Sequence, residues 1–269
     1  MHRGEQHVKI KTAVCSFVGD RKINQDNFYI NGFYNQKYKS KIKKTFSPKN
    51  EEQVLAVSDG MGGEQHGEIA AKTAMQVLHQ YHKKYLCFEE DFKFKVQEYI
   101  QGANDAVCRL MHADGKPQCG AAVSVLCIFP QTQKATAFNV GDCKVMLFRN
   151  GNIHQISRDH NAAQTLVDVG LLTKEQARCS KEKSYLTQHL GIMPEEMIIE
   201  PYVSETIILQ KGDIFLLCSD GLTDALTDTA LETILKKRMS IQRKCKKLVY
   251  TAHRNGSKDN ITLIISKIQ

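Results

Sequence analysis

The sequence predicts an α+β fold in which runs of short strands alternate with pairs of helices. Apolar residues repeat at helical spacing over residues 69–85 and 92–111. Short apolar runs at residues 54–57, 121–129 and 135–140 are instead typical of buried strands. Because runs of strands are interrupted by helix pairs, we expect a layered fold, and two packed sheets with helix pairs outside would fit this order.

The N-terminal part of the chain is expected to supply two further strands. Residues 7–17 have strand character, and a second short strand is expected at residues 27–33. The lysine-rich stretch at residues 36–52 is predicted to be an exposed hairpin loop. The strand at residues 54–57 then leads directly into the glycine-rich segment at residues 58–63, SDGMGG.

The middle of the chain continues the strand run and then changes character. A strand is expected at residues 144–148, with a hairpin turn at residues 149–152. Residues 157–201 are mixed and polar, with short helical pieces at residues 161–169 and 174–178. We interpret this segment as a mobile insertion that lies near the functional site.

The C-terminal part is predicted to repeat the pattern of strands followed by a helix pair. The predicted strands are residues 205–209, 213–218 and 261–268, and the predicted helices are residues 228–238 and 241–254. No internal repeat, low-complexity tract or linker divides the chain. We therefore expect residues 1–269 to form one domain.

Composition and charge are typical of a soluble globular protein. The chain contains 37 Lys and Arg against 29 Asp and Glu, a formal charge of +8. Much of the excess lies at residues 37–49 and 236–247, each interpreted as a solvated face with a docking patch as the alternative. Nucleic-acid binding is not expected, because only Tyr38 and Phe46 could offer stacking surfaces within the first basic segment.

Cysteine usage and hydropathy suggest a cytoplasmic protein. The nine cysteines include no Cys-x-x-Cys pair, and several stand inside apolar runs, as expected for free buried thiols in a reducing compartment. No apolar run approaches the roughly 20 residues that a membrane-spanning helix needs, and residues 1–11 lack the apolar core of a signal peptide. No exposed apolar stripe is evident, so a monomer is expected.

Four aspartates stand out by their positions. Asp59 and Asp220 each follow a short apolar strand and precede glycine, while Asp26 and Asp259 stand close to predicted strand starts. Each alone is an ordinary turn or loop residue. Carboxylates at strand ends can converge on one rim of a sheet, and hard oxygen ligands suit Mg²⁺ or Mn²⁺. The prediction of a metal site therefore depends on their occurring together.

Five short motifs occur in order along nearly the whole chain. They are Arg21 with Asn24-Gln25-Asp26; residues 57–63, VSDGMGG; Asn139-Val140-Gly141-Asp142; residues 216–224, LLCSDGLTD; and Asp259-Asn260-Ile261-Thr262. In these five motifs and their order, the chain resembles the PPM-type (type 2C) metal-dependent serine/threonine protein phosphatases. Met61, and residues 164–167 followed by Gly170, are most similar to the bacterial branch.

The resemblance implies a fold and a metal centre. The fold would be a four-layer α/β/β/α sandwich of two central antiparallel sheets flanked by helix pairs, with residues 157–201 as a flap that controls substrate access. Two Mn²⁺ or Mg²⁺ ions would be held per chain, with a third, weaker site as in bacterial members. Asp59 would bridge two ions, and the other implied ligands are Asp26 acting through bound water, the Gly60 carbonyl, Asp142, Asp220, Asp224 and Asp259.

The implied reaction is hydrolysis of phosphoserine and phosphothreonine in proteins. Two cations sharing Asp59 would lower the pKa of a bridging water, which could then attack phosphorus in line with the leaving oxygen. Arg21 would hold the substrate phosphate, because its planar guanidinium matches the phosphate oxygens. Arg21 and Asp59 are therefore the predicted catalytic residues.

The chain departs from the family pattern at several positions. Met61 stands where many eukaryotic members have a histidine that donates a proton, and Gln25 stands where some have Glu. The usual Gly-Thr-Thr is replaced at residues 120–122 by Gly-Ala-Ala, with an expected effect on packing more than on chemistry. The leaving-group proton would come from metal-bound water or another residue, of which His66 is close in sequence.

Two alternatives keep part of this interpretation. The chain could be a pseudophosphatase that binds a phosphoprotein without turnover, or a regulator that acts on one dedicated phosphoprotein. A pseudophosphatase is expected to lack a metal-binding aspartate, and none is missing here. The active phosphatase is therefore the favoured hypothesis.

Overall fold

The computed structural model describes residues 8–47, 52–62, 66–82, 84, 91–113 and 119–269. Within these residues the strands are β1 Ile10–Phe17, β2 Asn27–Ile30, β3 Phe33–Tyr34, β4 Lys41–Phe46, β5 Gln53–Met61, β6 Gly120–Phe129, β7 Lys134–Val140, β8 Lys144–Arg149, β9 Asn152–Gln155, β10 Tyr202–Val203, β11 Ile207–Ile208, β12 Ile214–Cys218 and β13 Ile261–Ile268. The α-helices are α1 Gly67–Tyr81, α2 Phe92–Ala113, α3 Ala162–Asp168, α4 Lys174–Cys179, α5 Asp220–Thr223, α6 Asp228–Lys236 and α7 Ile241–Arg254. A 3₁₀ turn covers Lys181–Ser184.

The strands form two antiparallel sheets, as predicted. The first sheet has the strand order β4-β1-β13-β12-β8-β9. The second has the order β10-β7-β6-β5-β2-β3, and β11 pairs with β7 beside it. Helices α1 and α2 cover the second sheet, and α7 packs on β1 and β13 of the first. The predicted sandwich of two sheets between helix layers is therefore confirmed.

Strand β13 shows how the sequence pattern builds the layers. Ile261, Leu263 and Ile265 belong to the apolar cluster beneath α6 and α7, whereas Ile264 belongs to the cluster between the sheets. Successive side chains of a strand point to opposite faces, so both faces of β13 are buried and the strand is apolar almost throughout. The inter-sheet cluster also contains Phe28 and other apolar side chains of both sheets, and their packing holds the two sheets together.

The lysine-rich stretch at residues 36–52 is not the simple exposed loop that was predicted. Within it β4 pairs antiparallel with β1, with Lys41 opposite Phe17 at the start of the strand. Ile42 and Phe46 pack against the inter-sheet cluster, and Lys43, Lys44 and Thr45 lie between them. The lysines hid the alternation of apolar and polar residues by which a strand is recognised in a sequence. An edge strand tolerates such charged residues, whereas a central strand does not.

Other predicted boundaries differ by a few residues. The strand expected at residues 27–33 is divided into β2 and β3 by a turn at Asn31 and Gly32, whose φ angles are 44° and 94°. The turn at residues 149–152 is confirmed, since Asn150 and Gly151 both have positive φ, as a two-residue hairpin requires. No helix among the described residues is both long and apolar enough to cross a membrane.

Candidate metal centre

Five of the predicted site aspartates lie at one rim of the sandwich. Asp59 lies inside β5, which continues through it to Met61, whereas the strand was predicted to end before it. Asp220 is the first residue of α5, directly after β12. Asp26 immediately precedes β2, whereas Asp142 follows β7 and Asp259 precedes β13. The antiparallel order of the strands thus brings positions far apart in sequence to the same rim.

Asp26 is almost completely buried, with an exposed fraction of 2%. Its Oδ2 accepts a hydrogen bond from the Ser219 hydroxyl at 2.7 Å, and its Oδ1 is buried without a hydrogen-bond partner. Burial raises the pKa of Asp26 to about 7; hydrogen bonds from Ser219 and Thr262 oppose the shift, and the charges of Asp220 and Asp259 add to it. This carboxyl therefore lies in a place that favours a nearby positive charge.

Asp59 and Asp220 lie within hydrogen-bond reach of each other. Two carboxyl groups can make such a bond only by sharing a proton. Burial raises the pKa of Asp59 well above its usual range, and the charges of Asp26, Asp220 and Asp142 raise it further. Burial also raises the pKa of Asp220, whose Oδ1 is buried and unpaired. A cation placed between the two side chains would offset the negative charge that raises both pKa values.

Asp142 joins the cluster from the loop between β7 and β8. Burial raises the pKa of Asp142 to about 7, Asp220 adds to the shift and Lys144 opposes it. Lys144 donates a hydrogen bond to Asp159, which forms the far wall of the site. Asp142 thus extends the acidic cluster toward the segment that follows β9.

Two other predicted ligands are held by cations of the chain. Arg21 Nη2 lies 2.9 Å from Asp259 Oδ2, so the predicted phosphate-binding residue pairs here with a predicted metal ligand. Asp224 Oδ1 lies 2.8 Å from Lys183 Nζ in the 3₁₀ turn of the predicted flap. Arg21 and Asp259 are both partly exposed, so their ion pair contributes little to stability and can exchange partners.

Gly60 lies at a close approach of three backbone segments. Its N–H donates to the Gln25 carbonyl at 3.2 Å, and a Cβ at Gly60 would stand 2.0 Å from the Gly67 carbonyl oxygen. A Cβ at Gly67 would in turn stand 2.7 Å from the Gly60 carbonyl oxygen. Glycine at both positions therefore lets the end of β5 and the start of α1 approach without blocking that carbonyl.

Asn260 organises the loop that carries Arg21 and Asp26, a role that the sequence reasoning did not assign. Its Nδ2 donates to the carbonyls of Val18 at 2.7 Å and Ile23 at 3.1 Å, and its Oδ1 accepts from the Gln25 N–H at 2.7 Å. Its place in the fifth motif was the available signal, although only long-range contacts reveal the role. Ser219 was also missed, although it directly precedes Asp220 in the fourth motif.

The donor set matches what a hard divalent cation requires. Carboxylates and a main-chain carbonyl are the ligands of Mg²⁺ and Mn²⁺, and the buried unpaired oxygens of Asp26 and Asp220 are available as acceptors. As the described side chains stand, no three acidic, histidine or cysteine groups form a ready-made ligand set. The ion pairs of Asp259 and Asp224 agree with the absence of a ready-made ligand set among the described side chains, since each directs a carboxylate toward a basic side chain.

The segment between β9 and β10 covers a cavity of about 560 Å³ beside the cluster. Its α3 and α4 match the predicted helical pieces, and the side chains of Asn161 and Thr173 cap their N-termini. Two ion pairs connect the segment to the helices after β12: Lys183 pairs with Asp224 at the end of α5, and Arg178 pairs with Asp228 at the start of α6 at 2.7 Å. The cavity reaches Asp142 and Asp220, so this segment borders the acidic cluster.

A comparison with protein families decides the identity of this fold. Residues 49–269 match the family model described as Stage II sporulation protein E (SpoIIE). The chain belongs to the SpoIIE/PPM-type (type 2C) phosphatase family. The predicted resemblance is confirmed, as is the prediction that the chain is a metal-dependent serine/threonine protein phosphatase by family.

Curated relatives from bacteria agree with this assignment. The serine/threonine phosphatase stp of Listeria monocytogenes is 29% identical over 222 residues, covering 82% of this chain and 86% of the relative. The protein phosphatase PhpP of Streptococcus pneumoniae is 28% identical over 260 residues, covering 95% and 96%. The similarity therefore extends over nearly all of this PPM-type chain.

Solved structures show the same fold. The Streptococcus agalactiae serine/threonine phosphatase superposes with a TM-score of 0.81 at 24% identity, over 97% of this chain and 100% of that one. The catalytic domain of the phosphatase PstP, solved with two manganese ions, gives a TM-score of 0.75 at 23% identity, over 97% and 99%. At this identity the two structures support the PPM-type architecture.

Proposed function

We propose that this protein hydrolyses phosphoserine and phosphothreonine in other proteins at a centre of two divalent cations, Mn²⁺ or Mg²⁺, with a third, weaker site. The observation that carries the proposal is the set of buried carboxyls on one rim, whose pKa values are raised by burial and by one another. Such a cluster costs folding free energy unless positive charge enters it. A site that attracts cations is well suited to phosphate hydrolysis.

The proposed ligands are those that the family resemblance implies. Asp59, Asp220 and Asp259 would hold the first ion, and Asp59 would share the second with the Gly60 carbonyl and with Asp26 through water. Asp142, Asp220 and Asp224 would hold the third. When bound, the cations would supply a water with a lowered pKa and would neutralise charge on the phosphoryl oxygens.

The chain's own residues would orient the substrate. Arg21 is 57% exposed at the rim and pairs with Asp259, so its guanidinium can exchange that carboxylate for a substrate phosphate. Ser219 donates a hydrogen bond to Asp26, and Asn260 holds the loop that carries Arg21 and Asp26. Met61, partly buried against the inter-sheet cluster, cannot donate a proton to the leaving oxygen. We infer that this proton comes from solvent at the rim.

The test is an assay on a phosphothreonine peptide with EDTA, Mg²⁺ or Mn²⁺, beside Asp59→Asn and Asp220→Asn. We expect phosphate release only with a divalent cation, and a loss of at least about a thousandfold in either variant, because each removes charge from the reacting centre. Circular dichroism would confirm that both variants are folded. Folded wild-type protein without turnover at any metal would favour the pseudophosphatase, which binds a phosphoprotein without turnover.

Further expectations from the sequence remain part of the proposal. We propose that residues 1–269 act as one domain, that residues 157–201 form the flap, and that the protein works as a cytoplasmic monomer on phosphorylated proteins. The ion pairs between residues 157–201 and the rim support the flap assignment.

A further inference from the structure

A basic surface lies on one edge of the first sheet, outside the candidate metal centre. It is formed by Lys41 and Lys43 of β4 and Lys246 of α7, and we name it the β4–α7 surface. Lys43 is opposite Cys15 in the register of β1 and β4. Alternate strand residues share a face, so Lys41 and Lys43 lie on the face toward α7 that also holds Cys15.

The three lysines converge although their charges repel. Helix α7 packs on β1, and the Sγ of Cys245, the neighbour of Lys246, lies 3.5 Å from the Ala13 carbonyl oxygen of β1. The close approach of Lys246 lowers the pKa of the exposed Lys43. The pKa of the underlying Cys15 thiol is lowered first by a hydrogen bond with Cys245 and further by Lys43, Lys246 and Lys41. Among the described residues, no carboxylate forms an ion pair with any of the three lysines. A partner with negative charge would relieve the repulsion.

The same surface includes an open sheet edge. Strand β4 is the outermost strand of the first sheet, and within the described ranges no strand pairs with its outer side. Lysines on an edge strand commonly prevent unwanted pairing. That function explains Lys41 and Lys43, but it does not explain why Lys246 of a separate helix converges with Lys43. An open edge offers main-chain hydrogen bonds that a polypeptide strand can use and a membrane cannot.

We propose that the β4–α7 surface docks an extended acidic segment of the phosphoprotein substrate, which adds a strand to the edge of β4. This proposal rests on the proposed function. In both strands alternate side chains are about 7 Å apart on one face, so Asp or Glu at every second position would face Lys41 and Lys43. Strand β4 begins opposite Phe17, four residues before Arg21 in the chain, so a docked segment would run toward the catalytic rim.

Binding can be measured without catalysis. The probe is a fluorescein-labelled, unphosphorylated 12-residue peptide of alternating Glu and Thr, followed by fluorescence anisotropy with the full chain. We expect the triple variant Lys41→Gln, Lys43→Gln, Lys246→Gln to bind about tenfold more weakly, since each exposed charge pair contributes little alone. The control removes three exposed lysines elsewhere, Lys93→Gln, Lys211→Gln and Lys237→Gln, and should bind within about twofold of wild type.

Strand addition makes a second, sharper prediction for the peptide. N-methylation of alternate backbone amides removes the donors that would pair with β4 and should abolish binding, although the charge is unchanged. Equal binding of the N-methylated peptide would overturn strand addition. A twelve-nucleotide dT oligonucleotide or phosphatidylserine vesicles that bind more tightly than the peptide, through the same three lysines, would overturn the assignment to a protein segment.

Kinetics then connect docking with turnover. With Mn²⁺, the triple lysine variant should lose about tenfold in kcat/KM on a phosphothreonine peptide with an alternating Glu extension. The matched Gln extension and a small aryl phosphate should be unaffected. Equal kcat/KM of wild type on both extensions would contradict the docking role. Failure of wild type to hydrolyse any substrate would contradict the proposed function instead, and the anisotropy result would still decide the docking surface.

Discussion

Single residues of the rim show how the chain balances a concentrated negative charge. Asp26 accepts a hydrogen bond from Ser219, Asp59 lies within hydrogen-bond reach of Asp220, and Asp259 pairs with Arg21. These contacts offset negative charge at the rim, where burial makes the charged forms of Asp26 and Asp59 costly. Cations that enter the site would have to replace these partners, so the partners influence how strongly the metals bind.

The role of Asn260 can be tested by its substitution. Asn260→Ala removes three hydrogen bonds to the loop that carries Arg21 and Asp26. We expect about 2–3 kcal/mol of destabilisation, because buried main-chain groups lose their partners, and a fall of about tenfold or more in kcat as the loop shifts. Urea denaturation and peptide kinetics would measure both. Asn255→Ala, which loses one exposed contact, is the control, and equal effects of the two substitutions would contradict a positioning role.

Lys183 offers a test of the proposed third site. Its ammonium group lies 2.8 Å from Asp224 Oδ1, so a cation bound by that oxygen would have to displace it. Lys183→Met should therefore increase the affinity for the third Mn²⁺ by about threefold, the size of an exposed ion pair, as measured by isothermal titration calorimetry. Lys181→Met, in the same turn, should leave that affinity unchanged. An unchanged affinity in Lys183→Met would argue against Asp224 as a ligand.

The strands and the loops between them determine which of these residues lie close together. Strands β5 and β12 bring Asp59 and Asp220 to the rim, and the two loops before β2 and β13 add Asp26 and Asp259. The segment between β9 and β10 approaches the rim through α4 and the 3₁₀ turn. Substrate selection is expected to reside in that segment, because it borders the cavity while the strands carry the ligands.

The flap can be exchanged without removing a predicted ligand. Replacing residues 171–185 by a short Gly-Ser linker removes α4 and the 3₁₀ turn, with both ion pairs to the rim. We expect preference among phosphopeptides to change several-fold, while hydrolysis of a small aryl phosphate stays nearly intact, since that substrate needs only the centre. Parallel kcat/KM measurements on both substrate types would test this. Equal loss on both types would count against a flap that controls access.

The whole molecule couples cation binding to stability. Asp26 and Asp142 have pKa values of about 7 in the fold, above the ordinary range for aspartate. The folded state therefore holds more protons than the unfolded state between about pH 4 and pH 7, and stability should fall as pH rises through that window. Without cations, the negative charge of the rim opposes folding at neutral pH.

This coupling predicts the effect of metal removal. In EDTA, the Tm should fall by roughly 5 °C between pH 5 and pH 8, and Mn²⁺ should restore it at pH 8 while protons are released. Differential scanning calorimetry gives the Tm, and calorimetric titration in buffers of different ionisation enthalpy gives the protons. Asp26→Asn should weaken the pH dependence, because the amide does not titrate. A Tm in EDTA that rises over this range would contradict the assigned pKa directions.

The sequence by itself determined the fold class, the family and the candidate ligands. Apolar periodicity separated strands from helices, and the ordered motifs around Asp26, Asp59, Asp142, Asp220 and Asp259 implied one metal centre. These features are local, and each depends on a few neighbouring residues.

Tertiary structure decided what local patterns do not contain. It made a strand of Lys41–Phe46, because β1 and the inter-sheet core stabilise residues whose sequence is mostly charged. It joined Asn260 to a loop more than 230 residues earlier, and Lys183 to Asp224 across the cavity. Such contacts depend on how distant segments pack against one another, and no short stretch of sequence specifies that packing.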